Sequence, residues 1–326
     1  MAENVNSKNA TIAGEATSSG ATAAGASAVG APAAEASSPA SSARADASPR
    51  GFAPSAGASA PTPRTREEIA ESLRVRTRRG TPTEKLEVIM TSAGLDRVEA
   101  ATVMVIGLGG VGSSCVEALV RGGVGRLVLI DRDVVSASNV NRQVIAFQST
   151  MGRRKIDVMR EMCLDINPNA HVVTKHSFVL AETFDELYAE CLEECDGRID
   201  FILDCIDTIS TKIFIAEFAQ KHGLRLISAM GAANKLQPEY LRASDLYETV
   251  NDPISRIMRK ECRKRGIKHL RVVYSCEQPV PVPVREGASR SERSNLGTAS
   301  YMPPMMGQMI AAETLRAIAH VGEFAD

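Results

Sequence analysis

The sequence predicts an α/β protein built on a mostly parallel sheet with helices on both faces. Two observations carry this. Short, near-continuously apolar runs at 102–106, 126–130 and 200–206 alternate with longer segments whose apolar residues recur at helical spacing. Directly behind the first run lies a cluster of glycines that opens a helix.

In chain order, the first 60 residues contain 42 Ala, Ser, Gly or Pro and almost no large apolar side chain. Such a segment cannot bury enough surface to offset an ordering entropy of roughly 1–2 kcal/mol per residue. Residues 1–64 are therefore expected to be a disordered tail, and 65–326 one domain with a C-terminal α/β extension from about residue 240. Thr65-Arg-Glu-Glu68 is a capping-box pattern opening a short charged helix that runs into Gly80-Thr-Pro82. A helix follows over 83–100, then a strand over 102–106, a helix over 111–121 and a strand over 126–130. Ile156, Met159, Cys163 and Ile166 mark a helix over 153–166, followed by a strand at 171–174 and an amphipathic helix at 181–195. A strand at 200–206, a helix at 212–222 and a strand at 224–229 complete the regular part. Beyond Gly231 the alternation weakens: a basic helix at 253–265, a strand at 271–274, a Pro- and Ser-rich passage at 279–295 and a last helix at 305–319.

Composition removes several function classes. With 38 basic and 39 acidic side chains the net charge is −1. No stretch offers about 20 uninterrupted apolar residues, because the best, 303–320, carries Glu313 and Arg316. The N-terminal segment lacks the apolar core of a signal peptide, and its first arginine is Arg44, too late for an Arg-rich transit peptide. Seven cysteines with no CxxC pair read as mostly buried thiols in a reducing cytoplasm, without a structural zinc.

The chemistry begins at Gly107-Leu-Gly109-Gly110-Val-Gly112, directly after a strand and before a helix, with Asp131 at the end of the next strand. Glycines permit a tight turn and backbone approach to phosphate, the helix N-terminus supplies amide donors, and the acid suits a ribose hydroxyl. This pattern alone fits a dinucleotide or ATP. Ser138-Asn139-Val-Asn141-Arg142-Gln143, followed by Gly152-Arg-Arg-Lys155, separates the two. A triphosphate calls for clustered cationic donors that also stabilise charge growing on the α-phosphate, whereas a nicotinamide cofactor does not.

Together with Asp204-Cys-Ile-Asp207-Thr, these segments resemble the ThiF-type adenylating fold of the ubiquitin-activating-enzyme superfamily. Met230-Gly231-Ala-Ala-Asn234-Lys235-Leu, Asp252-Pro253, Val272-Val-Tyr-Ser275-Cys-Glu277 and Pro303-Pro304 are similar to the bacterial tRNA threonylcarbamoyladenosine dehydratases within it. The resemblance covers about residues 83–321. It implies a Rossmann-like, doubly wound sheet and an ATP-dependent cyclisation of a tRNA nucleoside through a carboxyl-adenylate. It implies that Gly107, Gly109, Gly110, Gly112 and Asp131 hold the adenosine. Asn139, Arg142 and Lys155 would bind the phosphates, with Arg142 as the transition-state clamp and Gln143 assisting by hydrogen bonding. Asp207 would hold Mg²⁺ and complete a catalytic set with Arg142 and Lys155, while Asp204 would be structural. Lys85 takes the place of an Arg that in relatives reaches the partner subunit's ATP, so the resemblance implies a homodimer. It also allows a sulfur-relay protein as a partner.

Departures are Ala233 where relatives often have Gly, Gln237 for a frequent Asp, and Cys276 where many have Thr, which favours a packing role for that thiol over a nucleophilic one. Between Arg256 and Arg271, eight cations face a single acid, Glu261. That run supports an RNA substrate, with Arg259, Arg263 and Lys264 on one helix face as candidate tRNA contacts. Arg74 to Arg79 adds a second basic patch. Two other classes stay open on sequence: activation of a ubiquitin-like carrier protein's C-terminus, which needs a thiolester cysteine, and a non-catalytic NAD-binding module.

Overall fold

A computed structural model describes residues 80–281 and 296–324. The N-terminal tail, the capping box at Thr65, the Arg74–Arg79 patch and most of the Pro- and Ser-rich passage lie outside these residues.

The described chain forms a seven-stranded sheet in the order β3-β2-β1-β4-β5-β7-β6. Its strands are β1 Thr102–Ile106, β2 Arg126–Ile130, β3 His171–Lys175, β4 Phe201–Asp204, β5 Leu226–Ala229, β6 Leu241–Asp245 and β7 Arg271–Ser275. All pairs are parallel except β6 with β7. The helices are α1 Glu84–Met90, α2 Ser92–Ala100, α3 Gly110–Arg121, α4 Lys155–Ile166, α5 Phe184–Glu194, α6 Ile209–His222, α7 Pro253–Lys264 and α8 Met302–Ala319.

Why the strands read as continuous apolar runs is clear from the two cores. Every residue of β1 is buried, with Val103 and Val105 facing one cluster and Met104 and Ile106 the other. The first cluster takes in Val98 of α2, Leu119 of α3, Met159 of α4 and Met306 and Ile310 of α8. The second takes in Phe184 of α5, Ile215 of α6 and Met258 of α7. Building outward from β1 to β3 and then returning to β4 on its other side creates a topological switch point between β1 and β4, where crevices open beyond the carboxyl ends of strands.

Three points depart from expectation. The helix expected over 83–100 is two, α1 and α2, broken at Thr91 with φ 63°. Thr91 Oγ1 accepts from Gly94 N at 3.1 Å and so caps α2. Ser92 Oγ donates to buried Glu87 at 2.7 Å across the break. The strand β6 was not foreseen, because Leu241-Arg-Ala-Ser-Asp carries little apolar signal and pairs along one edge only. The final helix also begins earlier than expected, at Met302, since prolines in a first turn remove only an amide that has no intrahelical partner.

The C-terminal elements are integral to this layout: β7 pairs with β5, and α8 lies against α3. Among the described residues no helix is long and apolar enough to cross a membrane.

Candidate active site

The strand register brings the chemistry-bearing segments to one edge. Ile106 is level with Ile130 and with Asp204, so Gly107, Asp131 and Cys205 follow side by side beyond the strand ends. Gly107 N donates to Ile130 O at 2.8 Å and Cys205 N to Ile106 O at 2.9 Å, which continues the ladder into the turn.

The glycine turn is held by its own geometry. Gly107 has φ 91°, a left-handed conformation that L side chains rarely adopt. A Cβ on Gly112 would lie 1.8 Å from Gly107 O, so no side chain fits between the turn and α3. At Gly109, by contrast, a Cβ would come no closer than 4.0 Å to any atom, and the nearest is Gln143 Nε2. Gly109 caps α3 without a side-chain bond, leaving the first-turn amides aimed past an open position. That is an anion-receptive helix end.

Asp131 joins this turn to the next strand. Its Oδ2 accepts from Leu108 N at 2.6 Å and its Oδ1 from Asp133 N at 2.7 Å, so the carboxylate braces the loop while keeping further acceptor capacity. Lys155 reaches the same rim although 24 residues separate it from Asp131. Val135 N donates to Arg153 O at 2.8 Å and Lys155 N to Asp133 O at 3.0 Å, pairing the chain after β2 with the start of α4. The Lys155 side chain is buried and its Nζ lies 2.8 Å from Asp133 Oδ2, whose side chain is 57% exposed.

Between these two segments runs the polar motif. Asn139 is buried, and its Oδ1 accepts from Ser136 N at 3.0 Å, while its carbonyl accepts from Arg142 N at 3.0 Å and Gln143 N at 2.9 Å. This tight turn places Arg142 over the start of α3: a Cβ on Gly110 would meet Arg142 Cγ at 3.2 Å. The Arg142 Nη1 donates to Ser138 O and to Asn141 Oδ1, both at 2.8 Å. Buried Gln143, whose amide lies beside the open position at Gly109, has an Oε1 without a hydrogen-bond partner among the described residues. Asp207, exposed beyond the end of β4, receives the Thr208 hydroxyl at 3.5 Å and no other side-chain bond among the described residues.

Below the rim, Asp204 and Lys212 form a fully buried pair at 2.9 Å, and Ser228 Oγ donates to the same carboxylate at 2.6 Å. Asp204 is thus part of the floor and not of the rim. On the other face of the sheet, in the first core cluster, Cys115 has its thiol raised well above the usual range by burial and by the neighbouring Cys205.

Lys85 stands apart. Its side chain is 93% exposed on α1. Thr83, two residues earlier, approaches the position of a Gly123 Cβ to 3.0 Å, just before β2 begins. That is the other end of the strands, so Lys85 does not join the rim of its own chain.

On the basic helix the predicted trio divides. Arg259 is half-buried, with Nη1 donating to Thr249 O at 2.8 Å and to Thr249 Oγ1. Lys264 pairs with Glu261 at 2.8 Å, and Arg265 shares that acid at 2.9 Å, holding the Glu261 carboxyl down at about 2. Arg263 is exposed, with its guanidinium 5.2 Å from the Tyr247 ring. The side chains of Arg256 and Lys260 are exposed and make no hydrogen bond or ion pair among the described residues, and with Arg263 they follow spacings of four and three on one face. Helical spacing alone could have grouped these three.

Beyond the rim, the loop after β5 is organised around a buried lysine. Lys235 Nζ donates to Asn251 O at 3.2 Å, Ser275 O at 3.3 Å and Glu277 O, and desolvation lowers its pKa. Glu277 in turn accepts from Leu236 N and Gln237 N at 3.0 and 3.1 Å. Cys276, half-buried, is fixed through its backbone: its N–H donates to Tyr240 O at 3.0 Å and its carbonyl accepts from Asn251 Nδ2 at 2.9 Å.

An open helix N-terminus, a guanidinium, a lysine with a solvent-open partner and a free carboxylate on one edge can receive a polyphosphate and a divalent cation.

Comparison with known proteins shows what the whole chain is similar to. A tRNA threonylcarbamoyladenosine dehydratase of Bacillus subtilis (strain 168) is 40% identical over 197 residues, spanning 60% of this chain and 75% of that protein. An adenylyltransferase and sulfurtransferase uba4 of Aspergillus niger is more distant, at 28% identity over 222 residues, 68% of this chain and 40% of that protein. Crystal structures of Escherichia coli tRNA N6-threonylcarbamoyladenosine dehydratase in complex with AMP and with ATP each align with a TM-score of 0.61. Their identities are 26% and 25%, and each alignment covers 70% of this chain and 89% of that one. The model of the ThiF family matches residues 83–325, which takes in all seven strands of the sheet and every residue of the rim. This chain belongs to the ThiF family.

Proposed function

We propose that the chain is an ATP-dependent tRNA threonylcarbamoyladenosine dehydratase. The observation that carries the reading is the convergence of the glycine turn, Arg142, Lys155 and Asp207 beyond β1, β2 and β4 at the switch point, in a chain 40% identical to a dehydratase of that name. In this reaction an oxygen of the substrate's free carboxylate attacks the α-phosphorus of ATP, the bond to the β-phosphate breaks, and pyrophosphate leaves. The carbamoyl group then attacks the activated carboxyl carbon, gives up a proton and expels AMP, which carries away the carboxylate oxygen. The net change is loss of water and closure of a ring.

Each rim residue has a part in this. The amides at the start of α3 face the phosphates, Arg142 neutralises charge at the α-phosphate, and Lys155 exchanges its exposed partner Asp133 for phosphate oxygen. Gln143 supplies a hydrogen bond and Asp131 an acceptor for ribose. Asp207 fits Mg²⁺ as one carboxylate that leaves the remaining positions to phosphate and water, as that ion prefers. When bound, the ion draws charge from the triphosphate. Ring closure itself needs little beyond proximity, since both reacting groups belong to one substituent.

The assembly is a homodimer in which Lys85, fully solvent-facing and away from its own rim, reaches the nucleotide of the second copy. The tRNA lies across α7, held by Arg256, Lys260 and Arg263, whose side chains form no ion pair among the described residues, with Arg259 and Lys264 shaping that face through Thr249 and Glu261. The protein acts in the cytoplasm, where a sulfur-relay protein is a further candidate partner.

The deciding experiment is mass spectrometry of tRNA nucleosides from cells lacking the gene. Accumulated threonylcarbamoyladenosine with its cyclic form gone is the expected result. An unchanged nucleoside profile, together with capture of a thiol-sensitive adduct to a small carrier protein, would replace this reading with carrier-protein activation.

A further inference from the structure

Asn141 belongs to the polar motif, and none of the roles above uses its side chain. Its Oδ1 accepts from Arg142 Nη1 at 2.8 Å, and the same nitrogen donates to Ser138 O at 2.8 Å. Both N–H bonds of Nη1 are thereby engaged. The planar guanidinium then presents Nε and Nη2, which donate to nothing among the described residues, as a two-pronged edge suited to a pair of phosphate oxygens.

The other end of the amide points elsewhere. Asn141 Nδ2 donates to Thr298 O at 3.2 Å, across 157 positions of sequence. An arginine can only donate and a carbonyl only accept, so these two neighbours together fix which way the amide faces. Next to Thr298, Gly297 N donates to Asn234 Oδ1 at 2.8 Å, and Gly297 O accepts from Asn234 N at 2.8 Å. Asn234 O accepts from Val280 N at 2.8 Å, and Tyr301 OH donates to Leu236 O at 2.8 Å. A continuous chain of hydrogen bonds thus runs from the Arg142 guanidinium through Asn141 and residues 297–298 to the loop after β5.

We infer that Asn141 is a positioning residue for adenylation, which locks the Arg142 guanidinium and sets it in register with the loop at Asn234. This rests on the proposed function, in which Arg142 faces the α-phosphate. Asn141 itself takes no part in the bonds made or broken. Its contribution is to hold the clamp against the loop after β5 as one unit, so that the clamp is in place when charge develops and little reorganisation is left for that moment.

Two variants test this in the full-length protein. Asn141→Ala removes both ends of the link at an exposed side chain. Asn234→Gly removes the far anchor while keeping the left-handed backbone (φ 56°) that glycine adopts freely. The readouts are AMP formation with tRNA carrying the threonylcarbamoyl group, KM for ATP, binding of a non-hydrolysable ATP analogue, and the thermal midpoint. Asn141→Ala is expected to lower kcat about tenfold or more, with KM for ATP and analogue binding within about twofold of wild type, since a transition-state contact is lost and ground-state binding is kept. Asn234→Gly is expected to lower kcat too, and the double variant to be no worse than the worse single variant by more than about twofold, as two breaks in one link must be. A kcat for Asn141→Ala within about threefold of wild type, a change confined to KM, or fully multiplicative losses in the double variant would each overturn the inference alone. A wild-type protein that forms no AMP with this tRNA would overturn the functional reading, and the inference with it.

Discussion

Two lysine–aspartate pairs, one on a helix of each face of the sheet, differ in how their acids meet solvent, and the difference distinguishes scaffold from proposed site. Lys212 and Asp204 are 1% and 0% exposed, 2.9 Å apart under the switch point, with Ser228 closing the carboxylate. Lys155 and Asp133 are as close, at 2.8 Å, and this lysine too is buried, but its acid opens to solvent. In the first pair neither partner has an alternative, and losing one strands a charge in a low-dielectric interior. In the second, water can take over Asp133, so Lys155 is free to change partners. Burial of the acid, and not the chemistry of the pair, decides the role.

The sharpest way to break this comparison is to delete each lysine. Lys212→Met should lower the unfolding free energy by about 3–5 kcal/mol. Lys155→Met should cost about 1 kcal/mol or less, because its stranded partner is hydrated, yet reduce turnover about a hundredfold. Urea titration with parallel turnover assays reads both effects. Equal destabilisation by the two variants would erase the distinction.

Next in size are the rim residues that have no buried partner. Arg142→Ala and Asp207→Ala should each reduce ATP-dependent turnover by about 10²–10³-fold, the range for removing one transition-state donor, with unfolding midpoints unchanged. Near-normal turnover at saturating ATP in either variant would take that residue out of the mechanism.

The same contrast between committed and uncommitted cations orders the surface of α7. Changing Arg256, Lys260 and Arg263 together to Glu should weaken tRNA binding and flatten its salt dependence, each lost phosphate contact removing about 0.9 or less from the log–log slope. Altering Arg259, Arg263 and Lys264 instead should flatten it less, since Thr249 and Glu261 already occupy two of those cations. Binding isotherms over a range of salt concentrations compare the sets, and identical slopes would mean that internal pairing does not matter on this face.

The smallest effect concerns buried thiols. Desolvation by burial pushes Cys163 and Cys191 up to about 12 and Cys262 up to about 11. A raised folded value means the folded protein keeps protons that the unfolded chain releases. Their contribution is therefore complete below the unfolded thiol pKa of about 8.5 and declines as pH rises toward 11–12. Unfolding midpoints at several alkaline pH values should fall less steeply after Cys163, Cys191 and Cys262 are replaced by Ala. At pH 8, alkylation of the native protein should favour half-buried Cys205 and Cys276, and ATP should slow it at Cys205, beside the glycine turn, but not at Cys276.

Much of this molecule was legible in the residues alone. The strands β1, β2, β4, β5 and β7 lie where apolar runs predict them, because a strand buried on both faces has to be apolar at nearly every position. At the sheet edge and mostly unburied, β3 was legible from a shorter β-branched run. The glycine turn was legible for a related reason: Gly107 and Gly112 answer local constraints, a left-handed φ and a 1.8 Å approach that no side chain survives. Local sequence determines what local sterics and burial demand. What only the tertiary structure decided depends on neighbours distant in the chain. The break at Thr91 is stabilised by its own cap, but residues 83–100 carry helical periodicity straight through it. The edge strand β6 is a strand because β7 lies beside it. Arg259 is withdrawn from the open face of α7 by Thr249, which the periodicity of charge cannot express, whereas the pairing of Lys264 with Glu261 three positions away on the same helix is open to it. Asn141 gains its connection only when residue 298 folds back across 157 positions. A hydrogen bond between groups so far apart leaves no periodic trace in the sequence, since it depends on where folding places two short polar groups and not on the pattern around either one.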